Sequence, residues 1–458
     1  MGNDKTLTLG VLGGGGEIGA NCYQLGVNGH SILLDSGTHP KREGMGALPE
    51  YGLLGKAPDV CLISHGHQDH CGSLPYLLRQ FPAVRTFATI PTARIMDRML
   101  HNSVAVMGLI AKERGVAEYP LYEHEDVNYA MRSVTGQPFG EPLLLPIDTD
   151  VEVHFLRAGH VLGGASVLIK SHGHSVLYTG DFCEVDQELL PGCETLDSDL
   201  HADTLVIEST HGATDENSLN AYSDECYRLG EAIAPVVRNG GAVLLPSFAL
   251  GRTQEILNIV SRLQEEGVVP PVPVYASGLG RAVYELYDRF SDYLHENADL
   301  RPLEQFHRIG NVWEPTVVQN LISQPCIMVA TSGMMLQNTP SAMIACEMVR
   351  HTHHGIFFMG YLDPDTLGYG LLHGKVGDRH QFALGQPKVE CRLANIRSFS
   401  FSAHARRDTL QRFIRQVSPK NVVFVHGDED AIGWMRDNTS HGFRCYSPSV
   451  GQTISLEL

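Results

Sequence analysis

Residues 64–70 read Ser64, His65, Gly66, His67, Gln68, Asp69, His70, which places three histidines and a carboxylate within six positions. The run before it, Val60 to Ile63, is apolar in the manner of a buried strand. After it, Cys71 and Gly72 lead into Leu74, Leu77 and Leu78 at helical spacing. The cluster therefore sits on a loop at a strand end, where side chains can converge on one point. A lone buried histidine is usually a satisfied core residue. Four such groups side by side would each need a separate hydrogen-bond partner. Neutral imidazole with carboxylate is instead the donor set of zinc. The motif supplies four ligands, and a two-metal site needs more, so further ligands are expected downstream.

A chain of 458 residues, 43% hydrophobic and 19% charged, is long enough for two or three domains with substantial cores. Its 52 acidic and 34 basic residues give a net charge of −18, which argues against nucleic-acid binding through a broad basic surface. A local groove or a metal site can still supply positive charge. The ten cysteines include no C-x-x-C pair, as expected of a reduced, cytoplasmic protein. The N-terminus has no secretory leader pattern, and no apolar run is long enough to span a membrane.

Leu7 to Leu12 reads as a strand and is followed by Gly14-x-Gly16-x-x-Gly19, a match to the dinucleotide-binding fingerprint. That fingerprint requires a helix next. Here Asn21 to Val27 is rich in strand formers, Asn28-Gly29 is a hairpin turn, and His30 to Leu34 is the return strand. The glycines are accordingly read as a tight turn passing close to the site. Asp35 ends the return strand. Thr92 to Arg114 has a helical pattern, and residues 118–150 mix helix and loop. Val151 to Leu156 alternates as a strand and leads into a glycine-rich loop carrying His160; Ser175 to Thr179 is a strand ending at Asp181. After Glu208 the rhythm changes to alternating helices and buried strands, including a helix over 218–238. This predicts an α/β domain with a largely parallel sheet. A last strand is expected near Leu458.

The His-x-His-x-Asp-His run, followed in order by His160 and Asp181, resembles the metallo-β-lactamase fold. Four further stretches narrow the resemblance: Glu208-Ser-Thr, Pro246-Ser247-Phe248-x-x-Gly251-Arg252-Thr253-Gln254-Glu255, Phe401-Ser402-Ala403-His404, and Val425-His426-Gly427. Together they are similar to the β-CASP nucleases, the branch of bacterial RNase J and the 73-kDa subunit of the cleavage and polyadenylation specificity factor. The resemblance covers essentially the whole chain. It implies an α/β protein, a metallo-β-lactamase αββα sandwich with an inserted β-CASP domain. Residues 1–206 would begin the sandwich, 207–392 would form the insertion and 393–458 would complete the sandwich. The chain is expected to be a minimal member, without KH modules or an extra C-terminal domain.

The resemblance also implies roles. His65, His67 and His160 would hold one Zn2+, and Asp69, His70 and His426 a second, with Mn2+ as a substitute. Asp181 would bridge both, and Asp35 would orient ligands from behind. The catalytic candidates are Asp69, Asp181, Glu208 and His404, with His404 as general acid and Glu208 orienting it. Two metals activate a shared water and stabilise the attacking and leaving oxygens. Ser402 and the backbone at Ala403 would hold phosphate, and Arg252 would either clamp phosphate or form an internal ion pair. The implied activity is a metal-dependent ribonuclease acting on single-stranded RNA in an inter-domain cleft, with endo- and 5′-exonucleolytic modes both open. DNA or another phosphodiester as substrate, and a non-catalytic RNA-processing subunit, are the competing readings. His426 favours RNA, since DNA-acting members tend to carry Val there. Whether the chain forms a homodimer is left open. The chain departs from the family pattern at His211, Asp365, Arg406 and Asp428.

Overall fold

The computed structural model describes residues 7–147, 150–194, 200–215, 219–439 and 442–456. The chain divides into two compact units. One comprises Met1–Val185, Gly192–Ser218 and Ala403–Leu458; the other comprises Asp186–Pro191 and Leu219–Ser402.

The first unit holds two seven-stranded sheets. The first runs Thr453–Leu456, Leu7–Gly13, Cys22–Val27, His30–Leu34, Val60–Leu62, Arg85–Thr89, Val134–Gln137. The second runs Arg444–Tyr446, Asn421–Val425, Thr204–Glu208, His174–Tyr178, Ala165–Ser171, Val151–Arg157, Leu143–Leu144. Alternate residues of both sheets fill one core, with Leu9, Val11, Leu25, Ile32 and Leu62 on one side and Val153, Phe155, Val167, Ile169 and Val423 on the other. The period of two puts every second side chain into this layer. The opposite residues, such as Leu33, Cys61 and Ala88, pack beneath the helices Leu74–Gln80, Ile90–Arg114 and His124–Ser133. Leu177, Leu205, Val422 and Phe424 pack beneath Arg407–Val417 and Glu429–Thr439. The result is the expected αββα sandwich.

In each sheet four consecutive strands are joined by parallel pairings. Parallel strands bring their C-terminal ends to one rim. Asp35, the 64–70 loop, Asp181 and His426 all follow such strands directly. At that rim Ala165 N–H of the second sheet donates to Ser64 O of the first sheet's loop at 2.9 Å. His426 N–H reaches Gly14 O at 2.9 Å.

The glycine-rich segment is followed by the strand Cys22–Val27, so the dinucleotide-binding helix does not form. Gly14 has φ 76°, and a Cβ there would lie 2.3 Å from both Asn21 Oδ1 and the Tyr23 hydroxyl. Its loop thus packs directly against residues that contact the 64–70 motif. One expectation is incomplete: residues 118–150 contain the short strands Val134–Gln137 and Leu143–Leu144 as well as helix. Their few β-favouring residues and short length hid them; pairing with Arg85–Thr89 and Val151–Arg157 creates them.

The second unit holds a six-stranded sheet, His307–Arg308, Val274–Ala276, Ile327–Ala330, Val243–Pro246, Gly355–Phe358, Ile396–Ser398, with every pairing parallel. Its four central strands are buried on both faces, so they read as continuous apolar runs rather than alternating ones. The helix expected over 218–238 is observed as Tyr222–Arg238; residue 218 lies outside the described residues, as do 457–458 beyond the final strand.

Gly37 tests how tightly the rim is built. A Cβ there would fall 1.7 Å from Asp69 O, so the loop carrying Asp69 has to move to admit alanine. Gly37→Ala should cost at least about 1–3 kcal/mol in urea or thermal unfolding and lower metal content in the same preparation.

Candidate metal centre and active site

Two histidines of the motif, His65 and His67, meet the distant His160 at one point. His65 Nε2 lies 3.0 Å from His67 Nδ1, and His160 Nε2 lies 3.1 Å from the same atom. His160 enters from the loop after Val151–Arg157, more than ninety residues downstream. Burial, with the neighbouring His70, pushes the His65 pKa well below its usual value. Burial and nearby His404 do the same to His160. Both rings are thereby held neutral, the form that binds a cation.

Asp69, His70 and His426 form a second group. Asp69 Oδ2 is 3.7 Å from His70 Nε2 and 3.4 Å from His426 Nε2. Asp181 lies among both groups. Its Oδ2 is 3.6 Å from His65 Nε2, 3.7 Å from His160 Nε2 and 3.3 Å from His70 Nε2. Its Oδ1 is 3.4 Å from His426 Nδ1 yet buried and without a hydrogen-bond partner among the described residues. Burial alone would raise the Asp181 pKa, but His426, His70 and His404 drive it well below the usual range. Burial would lower that of His70; Asp181, Asp69 and Asp35 outweigh it and raise it strongly.

These residues fit divalent metal ions. Imidazole nitrogens converge where a single proton can satisfy only one contact, and an orphaned carboxylate oxygen points among them. The groups His65/His67/His160, His65/His70/Asp181 and Asp69/His70/His426 each bring their ligand atoms within 4.8 Å of one another.

Behind them Asp35 is fully buried. Its Oδ1 accepts Ser64 N–H at 2.7 Å, and its Oδ2 accepts Ser64 Oγ at 2.8 Å, His70 Nδ1 at 2.7 Å and Tyr178 Oη at 2.6 Å. These bonds turn His70 so that Nε2 faces Asp181. Several contacts were not foreseen from the sequence. Asn21 Nδ2 donates to Asp69 O at 3.0 Å, and Tyr23 donates to Asn21 Oδ1 at 2.8 Å. Ser64 and Tyr178 were also overlooked as orienting groups. A buried tyrosine is one sequence signal for them, because its hydroxyl needs a partner.

Beside the metal groups, His404 Nδ1 lies 3.0 Å from Glu208 Oε2 and 4.0 Å from Asp181 Oδ2. Glu208 also accepts Phe182 N–H at 2.9 Å. Burial would depress the His404 pKa, but Glu208 and Asp181 overcome it and hold it at about 9. His211 stacks edge-on to His404 at 6.1 Å between ring centroids. Burial and the charge of His404 push its own pKa down to about 4.

The remaining expected residues are placed as follows. The Ala403 carbonyl accepts His160 Nδ1–H at 2.7 Å, a contact of its C=O where a role of nearby N–H groups was expected. Ser402 is half-buried at the end of the second unit. Arg252 is buried in that unit, donating to Gln187 Oε1 at 3.2 Å. Asp428 accepts Ala431 N–H at 2.8 Å at the start of the helix Glu429–Thr439. Arg406 precedes the helix Arg407–Val417, and Asp365 N–H bonds Asp363 Oδ1 at 3.0 Å.

A sandwich with histidine and carboxylate ligands on one rim, carrying a separate parallel α/β unit, defines a metal-dependent hydrolase class. Comparison with known families agrees. Residues 15–207 match the metallo-β-lactamase superfamily, 253–371 the Beta-Casp domain, and 388–448 the Zn-dependent metallo-hydrolase RNA specificity domain. The chain thus carries a metallo-β-lactamase domain and a Beta-Casp domain. It is 29% identical to the RNase J-like protein of Methanocaldococcus jannaschii over 91% of both chains. It is 30% identical to cleavage and polyadenylation specificity factor 73 of Drosophila melanogaster, covering 94% of this chain and 61% of that protein. With Endoribonuclease YSH1 of Saccharomyces cerevisiae identity is 30%, covering 95% of this chain and 56% of that one. The chain thus spans little more than half of these eukaryotic relatives. A crystal structure of a protein of unknown function from Enterococcus faecalis V583 shares the fold, at TM-score 0.58 and 16% identity over 98% of this chain and 100% of that one. Among the described residues no helix is long and apolar enough to cross a membrane.

The raised His70 pKa has a thermodynamic consequence. A cation ligated by His70 Nε2 must displace its proton. Affinity for a divalent metal should therefore rise with pH through the neutral range. Calorimetry in two buffers of different ionisation enthalpy should show proton release on binding.

Proposed function

We propose that the chain is a zinc-dependent ribonuclease that hydrolyses phosphodiester bonds of single-stranded RNA, with its β-CASP insertion between residues 207 and 392. One observation supports this: Asp181 lies within 3.7 Å of histidines of both candidate ligand groups, and His404, braced by Glu208, stands next to them. The names of the relatives support RNA as substrate, and so does the RNA specificity match, which contains both His404 and His426.

His65, His67 and His160 would hold one zinc ion; Asp69, His70 and His426 would hold the other; Asp181 would serve both. Bound there, the cations would supply an activated water and offset the charge of the phosphodiester. The chain's residues do the rest. Asp35 fixes His70, and Ala403 O fixes His160, so ligand rings arrive pre-oriented. His404, kept cationic by Glu208 and Asp181, donates a proton to the leaving 3′ oxygen. Glu208 holds that ring through Nδ1, leaving Nε2 to face the substrate. Ser402 is proposed to hold phosphate; for Arg252 a phosphate clamp and an internal role stand side by side, its burial and its bond to Gln187 supporting the internal one. All ten cysteines are free thiols, which supports a reducing, cytoplasmic setting.

His404→Ala should retain its metals, lose about 10²–10⁴ in rate on RNA, and lose far less on a nitrophenyl phosphodiester, whose leaving group needs no proton. An equal loss on both substrates would give His404 another role.

The substrate assignment is tested with end-labelled oligonucleotides and the zinc-loaded protein. With a net charge of −18, few phosphates are neutralised by Lys or Arg, so the salt dependence should be shallow. Unpaired RNA offers splayed bases and 2′ hydroxyls. Single-stranded RNA should be cut much faster than duplex RNA or DNA. A preference for DNA would replace this reading with a DNA nuclease, and the product sizes would separate endonucleolytic from 5′-exonucleolytic cutting.

A further inference from the structure

We infer that Thr210 is the positioning residue for His426, selecting the ring nitrogen that this histidine offers to a metal. The inference rests on the metal-centre reading above and concerns a residue to which no role has been given.

His426 is an unusual ligand because its backbone is left-handed, with φ 48°. A residue other than glycine adopts that region at a cost, and neighbours must hold it there. Its N–H donates to Gly14 O at 2.9 Å, and its carbonyl accepts Ser209 N–H at 3.1 Å. The Thr210 hydroxyl adds two further contacts: Oγ1 is 3.4 Å from His426 O and 3.0 Å from His426 Nδ1. The next residue must be small, since a Cβ on Gly427 would lie 2.9 Å from Ser209 Cβ and Ser209 O. The Ser209–Thr210 turn thus cradles both the backbone and the ring.

A threonine hydroxyl has one proton and two lone pairs. When that proton goes to His426 O, the oxygen can only accept from Nδ1, so Nδ1 carries hydrogen. Nε2 then keeps its lone pair. It is this nitrogen that lies 3.4 Å from Asp69 Oδ2, whose other neighbour is His70 Nε2 at 3.7 Å. Nδ1 also has Asp181 Oδ1 at 3.4 Å, but Thr210 is closer and occupies that edge of the ring. The same logic recurs at two other histidines of the cluster. His70 uses Nδ1 toward Asp35 and His160 uses Nδ1 toward Ala403 O, each leaving Nε2 facing the centre. Thr210 would therefore do for His426 what Asp35 does for His70. The difference is chemical: a hydroxyl orients without adding negative charge to the cluster.

The test uses the full chain and zinc itself. Competition with a chromophoric chelator should resolve two zinc ions in the wild type. Thr210→Val keeps the shape and removes the hydroxyl; it should weaken one of the two ions by about 10–100-fold and leave the other unchanged. Thr210→Ser keeps the hydroxyl and should bind both ions as the wild type does. Independently of any variant, ¹⁵N spectra of histidine-labelled, zinc-loaded wild type should show His426 protonated at Nδ1 and metal-bound at Nε2. Unchanged zinc affinity in folded Thr210→Val, or metal on Nδ1 in the wild type, would overturn the inference. A wild type that binds no zinc would instead remove the metal-centre reading on which it stands.

Discussion

Asp35 accepts four hydrogen bonds with no access to solvent, and the rim of the sandwich is arranged around it. A buried carboxylate is costly unless its oxygens are satisfied. Here the satisfying groups are the backbone and hydroxyl of Ser64, the ring of His70 and the hydroxyl of Tyr178. They come from both sheets: Ser64 and His70 from the loop after Val60–Leu62, and Tyr178 from the end of His174–Tyr178. One desolvated group thus fixes the spacing of the two sheets at the place where ligands must converge. It also decides which nitrogen of His70 faces Asp181.

The second consequence of burial is electrostatic. His70 and His404 are pushed toward the charged form by carboxylates, while His65, His160 and His211 are pushed toward the neutral form by burial and by neighbouring histidines, His70 for the first and His404 for the other two. Histidines that share one small volume are therefore sorted into two chemical kinds. Neutral rings suit ligation, and a ring held cationic suits proton donation. His70 stands on the dividing line, cationic when alone with three carboxylates and a ligand only after losing its proton. The sorting requires no special residue type. It follows from the carboxylates each ring faces: Asp35, Asp69 and Asp181 for His70, Glu208 and Asp181 for His404, and Asp181 alone, outweighed by burial, for His65 and His160.

Much of this was legible beforehand because the motif is local. Residues 64–70 hold four chemically matched groups in one loop; Asp35, Asp181 and His426 each follow an apolar run that ends abruptly, and His160 follows the alternating strand Val151–Arg157. Strand ends are visible in sequence as a change from apolar to polar, so candidate ligands could be marked one at a time. The glycine fingerprint could be set aside for the same kind of reason, since Cys22–Val27 is too short and too β-favouring for the helix it demands. Less legible were the strands Val134–Gln137 and Leu143–Leu144, which exist through pairing with partners and not through local preference. Which groups Asn21, Tyr23 and Tyr178 orient could not be read, because a hydroxyl or amide declares no partner until the chain is folded.

The sequence by itself determined the candidate ligand types, their order along the chain, and the alternation between an all-round apolar parallel sheet and a half-alternating sandwich. Those depend on side-chain chemistry and on periods of two or 3.6 residues, which are properties of short windows. Only the tertiary structure decided that His160 meets His67 at 3.1 Å, that Asp181 lies among both groups, and that Glu208 rather than solvent faces His404. Each of those facts joins segments up to two hundred residues apart. Their distances are set by how two sheets stack and where parallel strands end, and no local preference carries that information.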